Sequence, residues 1–556
     1  MAIFSLNHGD ISAFKLLFSL AIMYGLMSML SYSVLHMKFV KPLGIDAPLD
    51  KFSEARAMKH LRVLSEDIVG RHEGRPGLKQ AADYIKGQLE FLKDRANSNF
   101  RLSIYNGGEA LVLELLSLPH ELPHYCRTTN VVTGMMRSLV LLTLAARPSK
   151  RIVQNGIEVE ESMVNGSFNM MFLGHSISLA YRAHTNVLMR ISSVNSTETD
   201  ASVLINAHFD SALNSPGASD CGSCVASMLE LGRLIVDSGW IPPRPIIFLF
   251  NGAEELFMLG SHGFITTHRW RDTIGAFVNI EASGSGGPDL VCQSGPGSWA
   301  SLVYAQSAVY PMAQSSAQVD ESFALLSAAD IFGIIPGDTD YRILAQDHGS
   351  IPGLDVIFLL GGYFYHTSSD TVERLVPGSI QARGDNLFSV AKAFASSSLL
   401  RNASERQYLE FATDHERAIF FDYMTWFMVY YSKRVAAVLH ILPAVIFLAV
   451  PIILRPRNFG LLSYCKTYFD FLKGLLQHII AILMAIIVPV AFAVVRLLLS
   501  GPAMNWFANP YLAFMMYVPC SIVGLLIPRY VWKWFHLNQD ISVQKMSREV
   551  PILFNY

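Results

Sequence analysis

Histidines and carboxylates follow four apolar runs in this sequence. VLINA (203–207) leads to His208 and Asp210. IIFLF (246–250) leads to Asn251-Gly-Ala-Glu254-Glu255, and AFVNI (276–280) leads to Glu281. VIFLL (356–360) is followed by a glycine pair and aromatics that end at His366. Between the first two runs lies SPGASD (215–220), a turn that opens a helix at Asp220. Nitrogen and oxygen donors of this kind suit Zn²⁺ or a similar divalent ion. Neither histidine sits in a local HExxH motif, so a ligand set would have to be assembled from distant segments. A carboxylate shared by two metals would make a co-catalytic pair that polarises a carbonyl and activates a water. Adjacent Glu254 and Glu255 offer a division of labour, one as ligand and its neighbour as general base. Taken singly, each residue has a plainer reading. Asp220 would cap a helix, the Glu pair would be a solvated helix start, and His208 would be structural. Their joint placement at successive strand ends favours the chemistry.

The elements around these residues alternate. Residues 52–69 and 77–92 read as amphipathic helices. Strands are expected at 186–191, 202–207, 245–250, 274–280 and 355–360, with helices at 222–237, 256–268 and 378–399. Continuous apolar strands between helices predict a three-layer α/β fold with a largely parallel central sheet and helices on both faces. In such sheets ligands bind at the carboxyl ends of the strands, where the four runs deliver their polar residues.

The rest of the chain is built for a membrane. The chain as a whole is 51% hydrophobic and 16% charged, against about 25% charged in a soluble domain. Four stretches, 16–37, 435–454, 474–499 and 510–528, have the roughly 20 apolar residues that cross a hydrocarbon core. The first is long for a signal peptide and lacks an Ala-x-Ala site, so it is expected to be an uncleaved anchor. Arg455, Arg457, Lys466 and Lys473 follow the second span, and Arg529 and Lys533 follow the fourth. The positive-inside rule puts these on the cytosolic side. The expected layout is a cytosolic N-terminus (1–15), an anchor, a luminal domain (38–415), three further spans and a cytosolic tail (529–556). Aromatics around 420–431 suggest an interface belt before the second span. Asn165, Asn195 and Asn402 head Asn-x-Ser/Thr sequons and are glycosylation candidates. A net charge of -2 gives no sign of a nucleic-acid partner, and six cysteines make no disulfide scaffold. Oligomeric state is open.

Five ordered motifs carry a family resemblance: AHFDS (207–211), SPGASD (215–220), NGAEE (251–255), NIEASG (279–284) and YHTSSDT (365–371). Together they resemble the co-catalytic zinc aminopeptidase family, in its membrane-flanked endoplasmic reticulum branch. The resemblance implies two Zn²⁺ per chain. It assigns His208 and Glu281 to one, Glu255 and His366 to the other, and Asp220 as the bridge. It makes Glu254 the general base and Asp210 the carboxylate that orients His208. Residues 333–340, with Asp338 and Asp340, match a stretch beside the site that is read as structural. The implied activity is aminopeptidase-type hydrolysis of peptides or proteins in the endoplasmic reticulum lumen by a multi-pass membrane protein. The alternatives are a non-catalytic scaffold or receptor subunit of the same fold, and a glutaminyl cyclase. Three departures stand out. Cys221 replaces the usual Asp or Asn after Asp220 and opens a C-x-x-C with Cys224; it is read as tolerated, neither ligand nor redox centre. Segments 102–151 and 319–329 look inserted. The family's membrane region also carries more spans than these four.

Overall fold

The computed structural model describes residues 8–116, 155–172, 175–315, 338–409, 418–453, 461–500 and 510–549. Helix α1 spans His8–Leu35, α2 Glu54–Arg62 and α3 Pro76–Leu116. Strands β1 (Asn155–Phe172), β2 (His175–Ser193) and β3 (Ser202–His208) follow, then α4 (Cys224–Asp237), β4 (Ile246–Asn251), α5 (Leu259–Thr267), β5 (Ile274–Ala282) and β6 (Leu290–Gly295). After α6 (Trp299–Ser307) come β7 (Gly353–Phe358), α7 (Ser379–Ser396) and α8 (Ala403–Leu409), and a hairpin of β8 (Ala418–Tyr423) and β9 (Phe427–Ser432). The expected insertion at 102–151 begins inside α3 and from residue 117 lies outside the described residues, as does all of 319–329.

Seven strands form one sheet in the order β1-β2-β4-β3-β5-β7-β6. Its centre is parallel: β4 pairs with β3, β3 with β5, and β5 with β7. Its flanks are antiparallel, through β1–β2, β2–β4 and β6–β7. The sheet is therefore mixed around the expected parallel core. Every residue of β3, β4, β5 and β7 is buried, as strands covered on both faces require. Alternation sorts them between two cores. Val203, Ile205, Phe248, Phe250 and Val278 face α2, α3, α4 and α7, while Leu204, Ile247, Leu249 and Phe277 face α5 and Trp270. This burial of both sheet faces is the main stabilising term, worth about 2 kcal/mol per large apolar side chain.

Two buried polar features constrain the fold. Arg383 on α7 is fully buried; its Nε and Nη2 donate to the Asp289 carboxylate at 2.7–3.0 Å, and Nη2 also donates to the carbonyl of Glu281 at 2.8 Å. Arg383→Met would strand Asp289 as an uncompensated buried charge at a cost of about 3–5 kcal/mol. Thermal or denaturant unfolding of the full chain in detergent should show that loss.

On the other core, the Nδ1 of His262 lies 2.6 Å from the Tyr181 hydroxyl, and its ring stacks on Phe168 and meets His348 at 4.5 Å. Burial, helped by the neighbouring His348, pushes its pKa down to about 4 from 6.5. A histidine depressed in the folded state binds its proton preferentially when unfolded. Its stabilising contribution is therefore complete above pH 6.5 and is lost as pH falls toward 4. Melting temperature should fall over that window, by less in His262→Phe; an equal fall in the variant would exclude this group as a source.

Two compact units make up the chain, Met1–Lys433 and Arg434–Tyr556. The second holds α9 (Lys433–Ile453, its first residue shared with the boundary), α10 (Leu461–Ser500) and α11 (Pro510–Glu549). Among the described residues four helical segments are long and apolar enough to cross a membrane: Phe18–Leu35, Lys433–Val450, Cys465–Leu499 and Tyr511–Trp532. Helices α10 and α11 approach closely at Gly524, where a Cβ would collide with the Met484 carbonyl oxygen. Small residues permit such contacts between apolar helices. The aromatics of 420–431 belong to the β8–β9 hairpin. Phe420 stacks on Tyr430 across it at 5.8 Å, because period-two alternation puts both on its buried face. Of the sequon asparagines, Asn165 and Asn195 are exposed. Asn402 is half-buried, with Nδ2 donating to the Thr199 carbonyl and Oδ1 accepting from the amide of Glu405.

Candidate metal centre

The parallel register brings the carboxyl ends of β3, β4, β5 and β7 to one edge. His208 is the last residue of β3, and Glu281 lies one residue before the end of β5. Glu254 and Glu255 follow β4 directly, and His366 lies in the loop after β7. Asp220 enters from the turn before α4. That turn needs Gly217, whose φ is +59°, because a Cβ there would lie 2.6 Å from the Asp220 carbonyl oxygen and 2.7 Å from Arg71 Nη2.

These side chains converge as two groups that share Asp220. On one side, His208 Nε2 lies 3.3 Å from Asp220 Oδ1 and 3.4 Å from Glu281 Oε2. On the other, His366 Nε2 lies 3.0 Å from Asp220 Oδ2 and 3.2 Å from Glu255 Oε2. Each oxygen of one carboxylate thus faces a different histidine. Glu254 belongs to neither group; its Oε2 is 3.9 Å from His208 Nε2. Asp210 supports both sides of the arrangement. Its carboxylate lies 3.2 Å from His208 Nδ1 and accepts the backbone amides of Glu254 and Glu255. All seven residues singled out in the sequence therefore meet at one place.

The donor set fits divalent metal. His208 Nε2 and Glu255 Oε1 are buried without a hydrogen-bond partner, and buried polar atoms are rarely left so. Both belong to the two clusters, where a cation would satisfy them. The electrostatics agree. Glu281 is pushed up to about 7 by burial, against the pull of His208. Burial also raises Glu254 well above the usual carboxylate range and raises Glu255. Burial would lower the two histidines, but the carboxylates outweigh it: His366 rises to about 10 and His208 well above its ordinary value. So much negative charge, most of it shielded from water, calls for cations.

Several contributors were not singled out by sequence reasoning. Arg71 is buried, and its guanidinium donates to the backbone carbonyls of Leu64, Phe209, Pro216 and Gly217, pinning the loop between His208 and Asp220. Asp370 accepts the hydroxyl and amide of Ser219 and the amide of Asp220. The Tyr365 ring stacks on His366 at 3.7 Å, and its phenol is held protonated by burial and by Asp220, Glu254, Glu255 and Glu281. Asp340, read as structural, sits beneath the site and accepts from Asn206, Asn251 and Ser261. Residues 333–337 of its segment lie outside the described residues. The YHTSSDT motif contained Tyr365 and Asp370, but a motif does not say which of its polar residues turn inward.

Comparison with known proteins agrees with this geometry. Residues 186–391 match the model of peptidase family M28, a span that starts within β2 and ends within α7 and holds every residue of both clusters. The chain belongs to that family. It is similar to "Endoplasmic reticulum metallopeptidase 1" of Rattus norvegicus, 34% identical over 412 residues, 73% of this chain and 43% of the relative. The protein of the same name from Homo sapiens is 35% identical over 386 residues, 68% of this chain and 40% of its own length. "Putative endoplasmic reticulum metallopeptidase 1" of Schizosaccharomyces pombe is 26% identical over 485 residues, 87% and 49%. The chain thus spans less than half the length of each of these relatives.

Proposed function

We propose that this M28 chain is a membrane-anchored, aminopeptidase-type zinc exopeptidase. The observation that carries the reading is Asp220, with one carboxylate oxygen toward His208 and Glu281 and the other toward His366 and Glu255. His208, Glu281 and Asp220 would hold one Zn²⁺, and Glu255, His366 and Asp220 a second. Bound zinc supplies Lewis acidity toward a scissile carbonyl and lowers the pKa of water. The chain's own residues do the rest. Glu254, raised by burial well above the usual carboxylate range, takes a proton from the attacking water and returns it to the leaving amine. Asp210 holds the Glu254 backbone and the His208 ring in register. The Tyr365 hydroxyl, kept protonated by burial and by the charge of the site's carboxylates, is a donor available to a developing oxyanion. Tyr365→Phe is expected to lower kcat by about 10²-fold with metal content unchanged; equal kcat would remove it from the chemistry.

The relatives' name and the Lys/Arg distribution around the spans support an endoplasmic reticulum membrane location with residues 38–415 luminal. Full-length protein in detergent micelles, assayed on peptides with free and with blocked N-termini, tests the function. Release of N-terminal residues from the free peptides alone, abolished by chelation and restored by Zn²⁺, supports it. A pyroglutamyl product with ammonia would favour the cyclase instead, and bound zinc without turnover a scaffold.

A further inference from the structure

One sulfur atom lies within reach of the site and takes no part in the mechanism above. Cys221 Sγ is 3.6 Å from Glu281 Oε2. His208, Asp220, Cys221 and Glu281 each offer one donor atom, and all four donors lie within 4.8 Å of one another. Cys221 is also disulfide-bonded to Cys224 at the start of α4, and both cysteines are fully buried. We propose that Cys221 is a masked fourth donor for the His208–Glu281 metal position, kept off the metal by its bond to Cys224. The proposal rests on the two-metal reading of the site.

The reasoning is coordination chemistry. One His and two carboxylates give a metal three protein donors and leave a position for water, the pattern of a catalytic zinc site. A thiolate added to them makes four protein donors, the closed pattern of a structural site. In the disulfide the Cys221 sulfur carries no charge and is a poor ligand, so the open position survives. Reduction by a small dithiol would proceed through a mixed disulfide. The Cys221–Cys224 bond breaks, both sulfurs end as thiols, and the dithiol leaves as its own cyclic disulfide. Cys221 then releases its proton to solvent as it takes the metal. The consequence is a peptidase that works with the disulfide closed and is quenched when it opens.

Cobalt(II) in place of zinc reads this directly, in full-length protein in detergent micelles. Oxidised wild type should show cobalt d–d absorption without a sulfur-to-cobalt charge-transfer band. Cys224→Ser, which leaves Cys221 free, should gain that band. The double variant Cys221→Ser/Cys224→Ser should lose the band again. Wild type reduced with a dithiol should gain it too, which reads the same chemistry should Cys224→Ser fail to fold. Cobalt d–d absorption with no sulfur band in Cys224→Ser and in the reduced wild type would overturn the proposal and leave the metal-site reading standing. No cobalt d–d absorption in any form would overturn both.

Discussion

Glu254→Gln should lower peptide hydrolysis by at least about 10²-fold while the protein keeps its full metal content. The carboxylate lies outside both ligand clusters, yet within 3.9 Å of His208 Nε2, so it would stand beside bound metal without holding it. Gln preserves its volume and cannot accept the water proton. Burial raises the Glu254 carboxyl, and Glu281, Asp340 and Glu255 add to the rise against the pull of His208. A base tuned upward in this way takes the water proton more readily than an ordinary carboxylate. Parallel kcat measurement and elemental analysis separate the two roles. Loss of metal together with activity would make Glu254 a ligand; undiminished kcat would move the base elsewhere.

Asp220→Asn should have a comparable effect by a different route. Asn retains one carbonyl oxygen at the position of Oδ1 or Oδ2 and presents an NH₂ at the other. It can therefore serve one histidine group but not both. Bound zinc should fall from about two per chain to about one, and activity should drop by about 10³-fold or more because the shared clamp is gone. Asp370 and Arg71 keep hold of the turn's backbone in the variant, so its fold should survive. Two zinc ions retained at wild-type affinity would end the bridging reading.

The sequence by itself determined a good deal. The strands 202–207, 245–250 and 274–280 were legible because a strand buried on both faces must be apolar along its length. Once they were placed, the polar residues after them had to share an edge, since parallel neighbours end on the same side. His208, Glu254, Glu255 and Glu281 followed from that logic. The membrane helices were legible because a hydrocarbon core demands about 20 apolar residues in a row.

What only the tertiary structure decided involves partners far apart in the chain. Periodicity reports how a segment is buried, not what it pairs with, so the antiparallel pairing of β2 with β4 could not be read from the apolar run at 186–191. The hairpin at 418–432 has the aromatic content expected of an interface belt, and only its cross-strand pairing shows that these residues form two strands. Arg71 reaches the 209–217 loop, and Asp370 reaches Asp220 across 150 residues of sequence. No spacing rule links such pairs, because their contact depends on how the turn before α4 docks against the loop after β7. Cys221 is the sharpest case. Its neighbour in sequence is the bridging Asp220, yet its place among four donors and its bond to Cys224 follow from the way the turn at Gly217 folds back over the end of β5. The sequence could say which donors are present, but the number facing any one metal is set by where the backbone carries them.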